Sequence, residues 1–356
     1  MPSSLETLLQ RKKVLILLGA GGVGKTSCSV AVALRAAALG KKVALLSIDP
    51  AKRLASALGI ELGGTLRTVE VADLPKNGRL DAAMLDAKSV FDSMVQRYAP
   101  DQATQARILS NPLYRVASTQ LVGCLEFMAL AKLQEIQDLG EYDLVLVDTP
   151  PDTQALQFLQ SPNILANFME KRVMQWLVTP FYFASKLGLG RLANWGEKMM
   201  GNLAKVTGFH ALRALVDFLV LIQAVMDGFH TRSLQILKTL RGPDAGFLLV
   251  TSPHPPALRA AENLIHHLHQ ARYTLDGIIL NRCFPFSLRE PLLSLESPWS
   301  PMVGYMRARV QEEKKAQEKL QKNLPDTFQP FFLEVEEQSQ VLVSVEALQR
   351  LSQQLG

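Results

Sequence analysis

Cysteine is scarce in this chain. Of 356 residues only Cys28, Cys124 and Cys283 carry a thiol. They stand far apart, form no CxxC pair and leave an odd one over, which excludes a disulfide framework or a cysteine zinc site as the basis of the fold and suits a reducing, cytoplasmic setting. Long apolar runs are missing too. Arg11, Lys12 and Lys13 ahead of residues 14–18 imitate the start of a secretory signal, but that run is far shorter than such a signal requires and leads straight into glycines. Residues 211–225 are apolar yet interrupted by Arg213 and Asp217, and are too short for a span of about 20 residues. The expectation is a soluble protein whose contact with a membrane is peripheral, at the inner face. No run of five like charges occurs and the net charge is only +5, so no nucleic-acid partner is expected. The six histidines show no metal-ligand spacing; His266, His267 and His269 fall together on a predicted exposed helix.

What is present is an ordinary globular composition, 48% apolar and 20% charged, enough for one large core or two modest ones. Up to Pro162, short leucine- and valine-rich runs alternate with helical patterns, the signature of βαβ units and a parallel sheet. Residues 14–18, 43–48, 66–71 and 144–147 are predicted strands, 25–39 a helix, and 80–137 a series of helices broken near Pro100 and Pro112. The alternation resumes with strands at 246–251 and 277–281 around a helix at 257–272, followed by helical patterns at 310–322 and 345–355. Between the two stretches, residues 163–243 carry ten Lys and Arg against four acids, hence +6, the whole positive excess of the chain. Phe168, Met169, Val173, Trp176 and Leu177 recur there at helical spacing. The predicted fold is α/β, a P-loop NTPase with a mostly parallel sheet flanked by helices and an inserted α-helical subdomain. Residues 1–162 and 244–356 form the two parts of the nucleotide-binding core, and 163–243 form the insert.

The chemistry is concentrated at strand ends. Gly19-Ala20-Gly21-Gly22-Val23-Gly24-Lys25-Thr26 fits G-x-x-x-x-G-K-[ST] between a predicted strand and a predicted helix, the context that gives the motif its meaning. Backbone N–H groups of Gly21, Gly22, Val23, Gly24, Lys25, Thr26 and Ser27 would surround phosphate oxygens at a helix N-terminus. Lys25 reaches the β and γ phosphates, and Thr26 offers its hydroxyl to Mg²⁺. Asp148 ends the buried run Leu-Val-Leu-Val, where it meets the Mg²⁺ shell; capping of a following helix is the alternative. Asp49 is either a helix cap or the group that orients water on the γ-phosphate. Asn281 closes a strand, where its amide either makes a turn or pairs with a base edge.

These stretches resemble the arsenite-transport and tail-anchored-protein-targeting ATPase family, within the wider class of MinD-type septum-placement ATPases. Residues Gly19 to Thr26 look like its P-loop, and Asp49-Pro50-Ala51-Lys52-Arg53-Leu54 like its first switch. Asp148-Thr149-Pro150-Pro151 with Leu156-Gln157-Phe158-Leu159 resembles its second switch, and Ile278-Ile279-Leu280-Asn281 the strand whose Asn contacts adenine. The resemblance implies an ATPase with ATP and Mg²⁺, with Asp49 positioning water and Asn281 on adenine. It also implies a homodimer or a pairing with a related subunit. Three departures narrow it. Ala20 stands where the family P-loop carries a second lysine that reaches across a dimer, no CxxC zinc pair is present, and Asp152-Thr153-Gln154 replaces Thr-Gly-His. The resemblance is strongest to a bacterial branch of anion-transporting ATPases that also lacks that lysine.

The function expected from these residues is an ATP-hydrolysing switch whose nucleotide state governs the helical insert and, through it, a protein or membrane-surface partner. A non-hydrolysing nucleotide-binding scaffold and a P-loop small-molecule kinase are the alternatives. The adaptable Met side chains and basic rim of the insert suit a variable apolar segment or anionic headgroups; packing of Trp176, Trp195, Met199, Met200, Phe218 and Met226 into the insert's own core is the competing account.

Overall fold

The computed structural model describes residues 4–49, 51–114, 124–151, 238–294, 300–338 and 344–355, with isolated positions between 218 and 235. Most of the predicted insert, with Trp176, Trp195, Met199 and Met200, lies outside the described residues, as does the 156–159 segment. The chain divides into two compact units, one made of Met1–Leu85, Lys132–Leu159 and Lys238–Gly356, the other of Asp86–Ala131 and Gln160–Leu237.

The first unit is an eight-stranded sheet with helices around it. Its strands are β1 (Val14–Gly19), β2 (Lys42–Ser47), β3 (Arg67–Thr68), β4 (Arg79–Met84), β5 (Leu144–Asp148), β6 (Ala245–Thr251), β7 (Gly277–Cys283) and β8 (Phe331–Glu336). They lie in the order β3-β4-β2-β5-β1-β6-β7-β8, and every pairing is parallel except that of β3 with β4. β1, β5 and β6 are buried at every position, which is why they read as unbroken apolar runs: helices cover both faces of a parallel sheet, and no alternation is left.

Helix α1 (Leu5–Arg11) opens on the Ser4 side chain, which accepts from the Thr7 N–H. Helix α2 (Lys25–Ala38) follows β1, is rich in alanine and buries Val30, Ala31, Val32, Ala33 and Leu34. Helix α3 (Arg53–Leu58) follows β2, and α4 (Ala87–Tyr98), α5 (Gln102–Ser110) and α6 (Cys124–Asp138) fill the stretch between β4 and β5. Next come α7 (Pro255–Gln270), α8 (Phe286–Ser294), α9 (Pro301–Lys322) and α10 (Val345–Gln353). Leu348, Leu351 and Leu355 at the C-terminal end join the same apolar cluster as α2 and β1. In the second unit α4 and α5 end at Tyr98 and Ser110, just before Pro100 and Pro112, as a residue ahead of proline disfavours helix. Phe91 packs on Tyr114 with ring centroids 5.3 Å apart, and the Tyr114 hydroxyl donates to Asp92 at 2.6 Å.

The sheet departs from the sequence expectation at its margins. Residues 79–84 are a strand, not the start of a helix, although Arg-Leu-Asp-Ala-Ala-Met is made of helix formers. Burial from Leu80 to Met84 and a full parallel register with β2 override that propensity. The strand expected at 66–71 shrinks to the antiparallel Arg67–Thr68. β8, unanticipated, closes the far edge, half-buried beside β7.

Candidate functional site

The strand order places β1 at the centre, with β2 and β5 on one side and β6 and β7 on the other. The chain leaves β1 for β2 and later returns from β5 across β1 to β6, so the connections part at the carboxyl ends of β1 and its neighbours, where open α/β sheets hold ligands. Leu17 and Ser47 stand level with Asp148 in the register. The structure thereby gathers at one end of the sheet Gly19 from β1, Asp49 from just beyond β2, Asp148 from β5 and Asn281 from β7.

The loop after β1 is built on close approaches. A Cβ on Gly19 would lie 2.4 Å from the Val250 carbonyl oxygen of β6. At Gly24, the N-cap of α2, φ is 86°, and a Cβ there would lie 2.3 Å from Nδ2 of Asn281. That amide is used: Asn281 Nδ2 donates to the Val23 carbonyl at 2.8 Å, tying the loop to the end of β7. Gly21 and Gly22 are exposed, Ser27 partly so, and Val23 is buried. Alanine at Gly24 should therefore combine a left-handed backbone cost of about 1–2 kcal/mol with displacement of Asn281. The expected outcome is a Gly24→Ala protein that folds with reduced stability and gains no melting temperature from nucleotide, checked by thermal melts with and without Mg-ATP.

Asp148 is the hub. It is fully buried and accepts three hydroxyl hydrogen bonds: Thr26 Oγ1 to Oδ2 at 2.9 Å, Ser29 Oγ to Oδ1 at 3.1 Å, and Ser47 Oγ to Oδ2 at 3.4 Å. Burial raises its proton affinity, while the Lys25 ammonium and the Thr26 and Ser29 hydroxyls lower it and Asp49 raises it further. Lys25 is itself only 7% exposed, so two opposite charges are held under the loop, out of bulk water. The neighbouring Thr149 hydroxyl donates to the Leu17 carbonyl at 2.7 Å, which fixes the backbone where the chain turns away from the site.

Asp49, also buried, is connected to Asp148 through Ser47, whose Oγ accepts from the Asp49 N–H at 3.3 Å. One Asp49 oxygen accepts from the Ala51 N–H at 2.9 Å, and the other faces Arg53 Nε at 3.5 Å. Asp49 thus closes a turn ahead of α3, whose own N-cap, Lys52, has no side-chain capping hydrogen bond, and its second oxygen is held by a half-exposed guanidinium. Ser29, Ser47 and Arg53 were not singled out in the sequence. Ser29 lies one helical turn past Lys25, and Ser47 two residues before Asp49, spacings that read as ordinary helix and strand until the fold brings both to Asp148. Burial, with Asp148 adding to it, pushes the Cys28 thiol up to about 12, with Arg282 opposing, so this cysteine is an inert packing group.

A buried carboxylate whose proton affinity is raised, beside a threonine hydroxyl that donates to it and keeps its lone pairs for a cation, fits Mg²⁺ held jointly with phosphate oxygens. Among the described residues no group of three or more His, Cys, Asp or Glu forms a cage for a metal ion.

The family comparison agrees with this geometry. Residues 12–356 match the family model described as anion-transporting ATPase. Among curated proteins, an ATPase ASNA1 homolog of Entamoeba dispar is 29% identical over 292 residues, covering 80% of this chain and 81% of that protein. The ATPase get3 of Schizosaccharomyces pombe is 26% identical over 286 residues, 79% of this chain and 77% of its own. A shorter match, 31% over 175 residues, links 49% of the chain to 52% of ATPase ASNA1 homolog 2 of Paramecium tetraurelia. With a nucleotide loop at the centre of its sheet and a family match running from just before β1 to the last residue, this chain belongs to the ArsA-type anion-transporting ATPase family and is an ATPase.

Proposed function

We propose that this ATPase is a nucleotide-driven switch, in which hydrolysis at the loop of residues 19–26 is coupled to residues 163–243, and that this segment engages a protein partner or an anionic membrane surface. The observation that carries the reading is the linkage Asp49–Ser47–Asp148 beside Thr26 and Lys25. Two strand-end acids share one serine, and the chain runs from each of them directly into a following segment. Ser47 donates to the Asp148 carboxylate and accepts from the Asp49 backbone N–H, so one hydroxyl ties the Asp148 side chain to the backbone at Asp49.

In this reading Lys25 holds the β and γ phosphates, and the N–H groups from Gly21 to Ser27 surround the phosphate chain. Thr26 and Asp148 hold Mg²⁺, which when bound neutralises phosphate charge and fixes the orientation of the polyphosphate. Asp49 orients the attacking water once Arg53 releases its second oxygen, and Asn281, with Nδ2 on Val23, keeps Oδ1 to accept from the exocyclic amine of adenine. The chain works as a homodimer or beside a related subunit. The ammonium that the family P-loop adds is replaced by Ala20, so each loop neutralises its own phosphates with Lys25.

No helix among the described residues is long and apolar enough to cross a membrane. The coupling is tested by hydrogen exchange of residues 163–243 in Mg-ADP and in a Mg-bound non-hydrolysable ATP analogue, together with flotation on anionic liposomes. Expected are different protection in the two states and liposome binding in one state that falls as salt is raised. Identical exchange in both states and no liposome binding would leave the segment a structural cap.

A further inference from the structure

Four non-glycine residues among those described have left-handed backbone; two of them, Lys52 at the N-cap of α3 and Arg282 with φ 61°, lie at the nucleotide end of the sheet. Strand β7 buries every residue from Gly277 to Cys283 except Arg282, and its register with β8 slips between Leu280 and Cys283. The slip is what turns this side chain outward. Arginine has no local hydrogen bond to offer in return for such a backbone, unlike asparagine, and glycine would adopt it without strain. A strained residue persists where its surroundings over-determine it, and such residues gather at sites of function.

Several other arginines near the carboxyl ends of the strands are committed. Arg289 pairs with Glu334 and Glu313, and Arg309 with Glu313 and Glu337. Arg53 pairs with Asp49. Arg282 makes no hydrogen bond or ion pair among the described residues, so folding gives no account of its charge. Its neighbour Asn281 holds the Val23 carbonyl, which places Arg282 one residue from a direct tie to the phosphate loop. Its charge also reaches Cys28 in the first turns of α2. An exposed guanidinium with no partner among the described residues thus follows directly on the residue that is tied to the loop.

We propose that Arg282 contacts the bound nucleotide, its guanidinium pairing with the phosphate chain, and that the left-handed backbone is kept in order to aim it there. The inference rests on placing the nucleotide in the loop of residues 19–26. It adds a second cation, from the opposite side of the sheet to Asp49, to a loop whose own sequence supplies only Lys25.

The test compares Arg282→Gly, Arg282→Lys and Lys25→Ala with the wild type, measuring Mg-ATP and Mg-ADP affinity by calorimetry and the melting temperature without nucleotide. Arg282→Gly is expected to melt at or above the wild type, because glycine relieves the backbone, while binding both nucleotides about tenfold more weakly, the loss of a charge-assisted contact. Arg282→Lys should recover part of that affinity through its retained charge. Wild-type affinity in Arg282→Gly, a fall in its nucleotide-free melting temperature that accompanies the affinity loss, or no recovery by lysine would each overturn the proposal. Lys25→Ala separates the two levels: if it binds nucleotide normally the placement of the nucleotide fails, and if it does not bind while Arg282→Gly binds like the wild type, only the role of Arg282 fails.

Discussion

Lys25→Ala is expected to leave a folded protein that no longer gains stability from Mg-ATP. In the wild type a ligand at a hundred times its dissociation constant adds about 2.7 kcal/mol, a rise of a few degrees in melting temperature for a protein of this size. The variant should show none of it. Lys25 is nearly buried, and its charge acts on Asp148, so its removal also strips Asp148 of the cation that lowers its proton affinity. The nucleotide-free protein should then carry Asp148 protonated to higher pH than the wild type, because burial is left as the dominant influence. Melts with and without nucleotide read the first effect. Equal nucleotide-induced shifts in variant and wild type would remove the phosphate loop from its assigned role.

Asp49→Asn should separate binding from turnover. The amide keeps the shape that caps the Ala51 N–H at 2.9 Å and leaves the Ser47 bridge to Asp148 intact, so nucleotide affinity should stay within a few-fold of the wild type. The carboxylate to which we assign the orienting of water is lost, however, and phosphate release in a single turnover should fall by about 10²–10⁴-fold, the usual worth of a positioned general base. The same substitution frees Arg53 from its ion pair, a 3.5 Å contact with a half-exposed guanidinium that stays solvated when the buried carboxylate loses its charge, so the melting temperature should change only modestly. Turnover near the wild-type rate would reduce Asp49 to the residue that closes the turn ahead of α3.

Both expectations rest on residues that were legible before the fold was known. The phosphate loop, Asp148 and Asn281 each sit at the end of an apolar run, and a run buried on both faces has no other easy reading than a central parallel strand. Legibility stopped where local and global preference disagree. Residues 79–84 favour a helix on their own, and only the pairing of Leu80 with Val43 and Ala82 with Leu45 makes them a strand. β8 was hidden for the opposite reason: its half-buried Phe331 to Glu334 face an edge, so no clean apolar period develops. The polar partners of Asp148 were invisible in kind. A serine in a helix and another in a strand carry no signal until register and packing bring both hydroxyls within reach of one carboxylate. Arg282 was passed over because its backbone, not its residue type, sets it apart.

The central place of β1 has a consequence for how the molecule comes into being. β1 and the loop that follows it are made well before one of β1's two neighbours, β6, and before the helix α10 that completes the apolar cluster around α2. During synthesis at roughly 5–20 residues per second, one side of β1 stays an open edge for on the order of ten to fifty seconds before β6 exists to cover it. An exposed, wholly apolar strand is an aggregation hazard, and the long sequence separation of its final contacts makes closure slow. The nascent chain is thus a natural client for a holding chaperone, and nucleotide cannot help it fold until β6 and β7 have been made.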